Sequence, residues 1–180
     1  FTLQGFALEH VLPLAIGTAA ATIVFTSLSS ARAHHARGAV DWSIVRAMAP
    51  GLVIGSLVGP QIATALPART MAAVFAVFMG FTAWRMVRNA QPKPSRSLPA
   101  APGLFGVGAG IGLLSGIVGA GGAFLSVPFM VRCNVRMHAA VATSSALGMP
   151  IALAATAGFV IAGLRKSGLP PHSLGFVYLP

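Results

Sequence analysis

The chain alternates long runs without any charged side chain with short clusters of basic ones, and the gaps between charges define its elements. No Asp, Glu, Lys or Arg occurs between Glu9 and Arg32, Arg46 and Arg69, Arg69 and Arg85, Arg96 and Arg132, or Arg136 and Arg165. A helix crossing the hydrocarbon core of a bilayer needs about 20 mostly apolar residues. The pattern therefore predicts spans near Val11–Ser30, Ile44–Leu66, Thr70–Val87, Gly103–Val131 and Ala139–Leu164, with a sixth beginning near Leu174. The fold class that follows is an all-α integral membrane protein, a polytopic bundle of about five to six transmembrane helices.

Composition supports lipid as the solvent. Of 180 residues, 56% are hydrophobic and 8% charged, whereas soluble domains carry roughly 25% charged residues. Twelve basic and two acidic side chains do not supply the charged exterior that water demands. The net charge of +10 is scattered through short loops with no aromatic-lined basic groove, so nucleic acid is not an expected partner. Basic residues gather after the first span (Arg32, Arg37, Arg46) and after the third (Arg85, Arg88, Lys93, Arg96), while the turn between the second and third holds only Arg69. The positive-inside bias then puts loops 31–43 and 88–102 in the cytoplasm and the turn at Pro67 outside. This implies a multi-pass protein of the cytoplasmic, inner membrane. The chain opens on Phe1 and stops at Pro180 as an apolar stretch begins, which reads as a fragment, and no signal peptide is recognisable at its start.

Gln91–Pro102, with Pro92, Pro94, Pro99 and Pro102 among Lys93, Ser95, Arg96 and Ser97, has linker composition. It divides the chain into residues 1–90, the remainder of a first transmembrane repeat, and 103–180, the start of a second. Faint internal likeness accompanies the division: Gly17–Thr18 resembles Ala142–Thr143, and Ser43 and Pro50 recur as Ser173 and Pro180.

Gly103–Val131 holds the densest information. Gly119, Gly121, Gly122 and Pro128 interrupt an apolar stretch too long for one span. A broken or re-entrant segment is expected, tolerated at membrane depth only where protein or a wet cavity satisfies the freed backbone groups. Half-helix N-termini at such a break present unpaired N–H groups and a positive dipole end, which suit a small anion. Whether the segment crosses once, leaving the halves parallel, or turns back near Gly119–Gly122, leaving them inverted, is open on charge; its length favours a turn. Two other glycine stripes, Gly51, Gly55, Gly59 and Gly108, Gly112, Gly116, have the four-residue spacing of close helix packing. Downstream, Thr143, Ser144 and Ser145 place three hydroxyls in one turn beside small residues, either lining a polar path or bonding back to the preceding turn.

The motifs GIVGAGGAFLSVPFM and MHAAVATSSALGMPIALAATAGFVIAGL resemble the second-half signature of the sulfite exporter TauE/SafE family: a Gly-rich element, a Val-Pro pair and an Ala-x-Ala-Thr-Ser element, in that order. Residues 10–59, with their Gly-Thr pair, His34–His35 loop and Pro-Gly-x-x-x-Gly helix, resemble the region after that family's first Gly-rich element. Two departures stand out, Ala123 for a third Gly and Ala19 for a Ser. The resemblance implies a secondary permease exporting sulfite or a related organosulfur or carboxylate anion, built from two facing halves. It implies an anion cradle at Gly119, Gly121 and Gly122, side-chain hydrogen bonds from Thr143 and Ser144, and first-half counterparts in Gly17 and Thr18. A small anion and the lipid bilayer are the partners it implies, with a homodimer left open.

Other chemistry is weaker. Arg132, Arg136 and His138 read as interfacial side chains. His34 and His35 have no Cys or carboxylate cluster to complete a metal site, and no cofactor is indicated. Cys133 reads as a small apolar residue near a helix end. Glu9 and Asp41 fall near span ends. Gly112–Gly116 is one residue too long for the Gly-x-Ser-Gly element of intramembrane serine proteases, and the possible bases for Ser115, His138 and His172, fall at span ends. A non-transporting membrane subunit or anchor is the nearer alternative.

Overall fold

The computed structural model describes residues 8–88, 97–119, 121–164 and 173–178. Its elements are α1 (Leu8–Ala36), α2 (Trp42–Ala65), α3 (Ala68–Val87), α4 (Ala101–Val118), α5 (Ala123–Arg132) and α6 (Met137–Leu164), followed by two short strands, β1 (Ser173–Leu174) and β2 (Val177–Tyr178). This is an all-α membrane protein. Among the described residues, α1, α2, α4 and α6 are long and apolar enough to cross a membrane. The expected third span forms as α3, with Arg69 and Arg85 inside it, and stands outside that group of four.

Local signals set the boundaries. Asp41 caps α2, its carboxylate accepting from the backbone N–H groups of Ser43 and Ile44, which satisfies donors that a helix start leaves orphaned. Pro102 lies in the first turn of α4, where its missing N–H costs nothing. α4 stops at Gly119, which adopts the left-handed conformation (φ 71°) and donates its N–H to the carbonyl of Ser115.

The glycine stripes explain how α2 and α4 meet. A Cβ at Gly51 would strike the carbonyl of Phe105, and one at Gly59 would lie 2.7 Å from that of Leu113. From the other side, Gly108 would meet Met48 and Gly112 would meet Leu52. The two stripes therefore face one another over a parallel, backbone-to-backbone contact, sealed by Ser56 Oγ donating to Gly112 O at 3.2 Å. In lipid, where no hydrophobic force separates helix from solvent, such close packing supplies the attraction.

α6 runs with α2: the Asp41 N–H donates to Thr143 Oγ1 at one end, and Gln61 Nε2 donates to Gly158 O at the other. α1 opposes α6, with Gly17 beside Phe159 and Ser27 beside Gly148. α5 is also antiparallel to α6, because Gly122 abuts Ile151 while Ser126, one turn on, reaches Ser144. One end of the bundle thus collects Arg32, Arg37, Arg46, Arg132, Arg136, His34, His35 and His138, whereas Arg69 follows the opposite end of α2.

One expectation is corrected. No sixth helix starts at Leu174; Ser173 pairs with Tyr178 and Leu174 with Val177 across a turn at Gly175, whose φ of 60° reverses the chain. That hairpin buries Phe176 among Leu14, Ile16 and Phe159. The linker residues 91–96 lie outside the described residues, and the part that follows, residues 97–100, leads directly into α4.

Candidate functional site

Gly119 and Gly122 carry the break. Both have positive φ, 71° and 72°, a region that costs L-residues with a Cβ about 1–2 kcal/mol. The chain then folds back, because a Cβ on Gly122 would lie 3.5 Å from Ser115 Oγ and 3.9 Å from Ile111 Cγ2. A helix continuing straight from Ile111 would carry residue 122 about 16 Å away along its axis. The return helix α5 has 10 residues, about 15 Å, or half the hydrocarbon thickness. Gly103–Val131 is therefore a helix, turn and half-helix. Arg132 and Arg136 return to the end from which α4 starts.

α5 begins without a side-chain cap, since its N-cap is Gly122. Its first N–H groups consequently have no local acceptor of the kind Asp41 gives α2. Beside the break lies a cavity of about 10 Å³ bordered by Ala20, Ser115, Gly119, Gly121, Ile151 and Ala155, room for about one water. The small residues of α1 and α6 make this space; Ser115 alone gives its border a side-chain polar atom.

The expected site residues separate into three groups. Gly119 and Gly121 border the cavity, and Gly122 stands at its edge beside Ser115. Ser144 is buried and shares a 2.7 Å hydrogen bond with Ser126. Two hydroxyls carry two hydrogens and this bond uses one, so the pair keeps a spare donor. Thr143 faces elsewhere: fully buried, it accepts the Asp41 N–H at 3.0 Å. Gly17 and Thr18 also lie apart, Gly17 against the Phe176 carbonyl and Thr18 accepting the Tyr178 N–H at 3.0 Å. The run Thr143–Ser145 is thus no continuous polar path, and Ser145 bonds back to the Val141 carbonyl. Ala19 and Ala123, where the sequence departs from its family, are both exposed, and neither lines the cavity.

Sequence reasoning weighed Ser115 only as a protease nucleophile. It is 3% exposed, and its Oγ has no hydrogen-bond partner. His138 is exposed at the start of α6, and His172 lies outside the described residues, so no base is seen beside Ser115. The signal that could have found it is its place four residues before the first break glycine. At the basic end, His35 Nδ1 accepts from Trp42 Nε1 at 3.2 Å and the rings meet edge to face. Among the described residues, no three His, Cys, Asp or Glu side chains gather as a metal site.

A half-helix thus returns from a glycine break beside a small cavity in an apolar helical bundle, the kind of helix interruption that membrane transporters tolerate where it lines a cavity. The chain belongs to the sulfite exporter TauE/SafE family, whose model matches residues 2–180. It is 30% identical over 172 residues to a probable membrane transporter protein of Haemophilus influenzae, covering 94% of this chain and 65% of that protein. It is 27% identical over 158 residues to the probable membrane transporter protein YdhB of Bacillus subtilis, covering 83% of this chain and 64% of that protein. The chain thus spans just under two thirds of the length of these relatives. No solved structure gives a significant match.

Proposed function

We propose that the chain forms part of a secondary transporter that exports a small anion, sulfite or a related organosulfur or carboxylate anion, across the bacterial cytoplasmic membrane in a multi-pass arrangement. The observation that carries this reading is the re-entrant break at Gly119–Gly122, with α5 starting uncapped at the buried Gly122. A helix N-terminus there offers fixed donors and a positive dipole end in a low-dielectric setting. Such a device recognises anions without a charged side chain buried in lipid. A cavity of about 10 Å³ is smaller than sulfite, so loading in this reading requires the site to open. Gly119, Gly121 and Gly122 form the cradle in this reading, and the Ser126–Ser144 pair adds a hydroxyl on the basic side. Thr143, Gly17 and Thr18 hold the helices that frame it. Opposed α1 and α6, each accepting a backbone N–H from the other half through Thr18 or Thr143, support inverted halves. The basic end would face the cytoplasm, where it attracts the anion before loading.

A non-enzymatic role goes with this reading. The test is sulfite efflux from loaded cells expressing the full-length protein, compared with a Gly121→Leu, Ser144→Ala double variant at equal expression. Efflux by the parent and its loss in the variant is the expected result. Efflux equal in both would remove the site from the break, and none in the parent would remove sulfite as substrate.

A further inference from the structure

Hydroxyls in membrane helices seldom stand alone, because an unpaired buried donor in hydrocarbon costs free energy that a bond to the preceding turn recovers. Among the described residues, many hydroxyls follow that rule. Thr22, Thr26, Ser27, Thr64, Thr82, Ser145 and Thr156 each bond a carbonyl three or four residues earlier. Of the other buried hydroxyls, Ser56 donates across to α4, Ser126 and Ser144 bond one another, and Thr143 accepts from α2. Ser115 breaks the pattern: it is 97% enclosed (3% exposed), and its Oγ has no partner. It also borders the cavity, and it lies 3.5 Å from the position a Cβ would take on Gly122, the residue that opens α5.

We infer that Ser115 is a ligand of the transported anion, its hydroxyl donating to one oxygen of a small oxyanion while the first N–H groups of α5 donate to another. Ser115 stands on the last turn of α4, Gly122 at the start of α5 packs beside its Oγ, and the two positive-φ glycines fold these turns against each other. Ser115 then holds no fixed partner because its partner is the cargo, and a permanent bond to the carbonyl a turn earlier would compete with binding. The assignment rests on reading the break as the anion site.

The test uses the full-length protein reconstituted in proteoliposomes, with uptake of sulfite, acetate and sulfate measured separately for the parent, Ser115→Ala and Ser56→Ala. A lost hydrogen bond to a charged group corresponds to about a 10- to 100-fold rise in KM for the transported anion. Thermal unfolding in detergent separates ligand from scaffold. Ser115→Ala should raise KM and abolish the anion-induced stabilisation while leaving the unliganded melting temperature unchanged or higher, since it removes an unpaired hydroxyl. Ser56→Ala, which breaks a bond between α2 and α4, should lower the melting temperature and leave KM alone. An unchanged KM in Ser115→Ala with normal transport overturns the Ser115 assignment while leaving the anion-export reading intact. A lower melting temperature with unchanged KM would identify a structural water as its partner and equally overturn it. No uptake of any of the three anions by the parent would overturn the functional reading and the ligand role with it.

Discussion

Thr18 on α1 and Thr143 on α6 do the same work at opposite ends of an antiparallel pair. Each Oγ1 accepts a backbone N–H from the other part of the chain, Tyr178 and Asp41 respectively, both at 3.0 Å. In each case a threonine in a membrane helix ties down a segment more than a hundred residues away in sequence. Replacing Thr143 by the isosteric Val keeps the volume and strands the Asp41 N–H, at a cost of about 1–2 kcal/mol. A lower melting temperature of the full-length protein in detergent, with a smaller fall for Thr18→Val because Thr18 is only half-buried, is the expected outcome.

The glycines of α4 should divide by face. Gly112→Ala places a Cβ 2.9 Å from Leu52 Cα and against its carbonyl, whereas Gly110→Ala meets nothing within 4 Å. Gly112→Ala should therefore reduce monodisperse protein in fluorescence-detected size exclusion, because backbone atoms of α2 cannot move aside as a side chain would. Gly110→Ala should be neutral or stabilising by up to about 1 kcal/mol, the helix-propensity difference.

At the break the same substitution separates conformation from space. Gly119→Ala and Gly122→Ala force alanine into the left-handed region, about 1–2 kcal/mol each, and the new methyl would also strike Ile16 Cγ2 at Gly119 and lie 2.6 Å from Ile151 Cδ1 at Gly122. Gly121→Ala meets only Ile23 Cγ2 at 3.7 Å and should keep its stability. Transport assays should find Gly121→Ala active and Gly121→Leu inactive, the larger side chain filling the cavity that Gly121 borders. Equal activity in the two would contradict that assignment.

The Asp41 carboxyl is held below its usual range, chiefly by the Ser43 hydroxyl, which outweighs the opposing effect of burial, and further by the N–H groups of Ile44 and Ser43. A depressed folded pKa means the cap stabilises α2 fully above the ordinary carboxyl value of 3.8 and loses that contribution as pH falls through the lower folded value. Asp41→Asn keeps an N-cap acceptor and lacks this titration. The melting temperatures of parent and variant should therefore converge on acidification below about pH 4, and a constant difference from pH 7 downward would contradict the capping role.

Much of this molecule is legible in one dimension. Charge-free runs locate α1, α2, α3 and α6, and the glycines with positive φ fall where the sequence places a break. The four-residue spacing of Gly51–Gly59 and Gly108–Gly116 announces close packing, although not that the two stripes pack on each other. These features are local: charge gaps and helical periodicity act within one span and need no partner. The destinations of the hydroxyls are another matter. Thr143, Ser144 and Ser145 look alike along the chain, yet one accepts from Asp41, one bonds Ser126 and one turns back on its own helix. Ser115 looks ordinary in sequence and is the hydroxyl left unpaired beside the cavity. A helix turns each successive side chain by about 100°, and which face meets which neighbour depends on how the helices dock. The sequence determined that the chain lives in lipid and where its helix must break. Only the tertiary structure decided which polar groups are spent on holding the bundle and which remain free to bind.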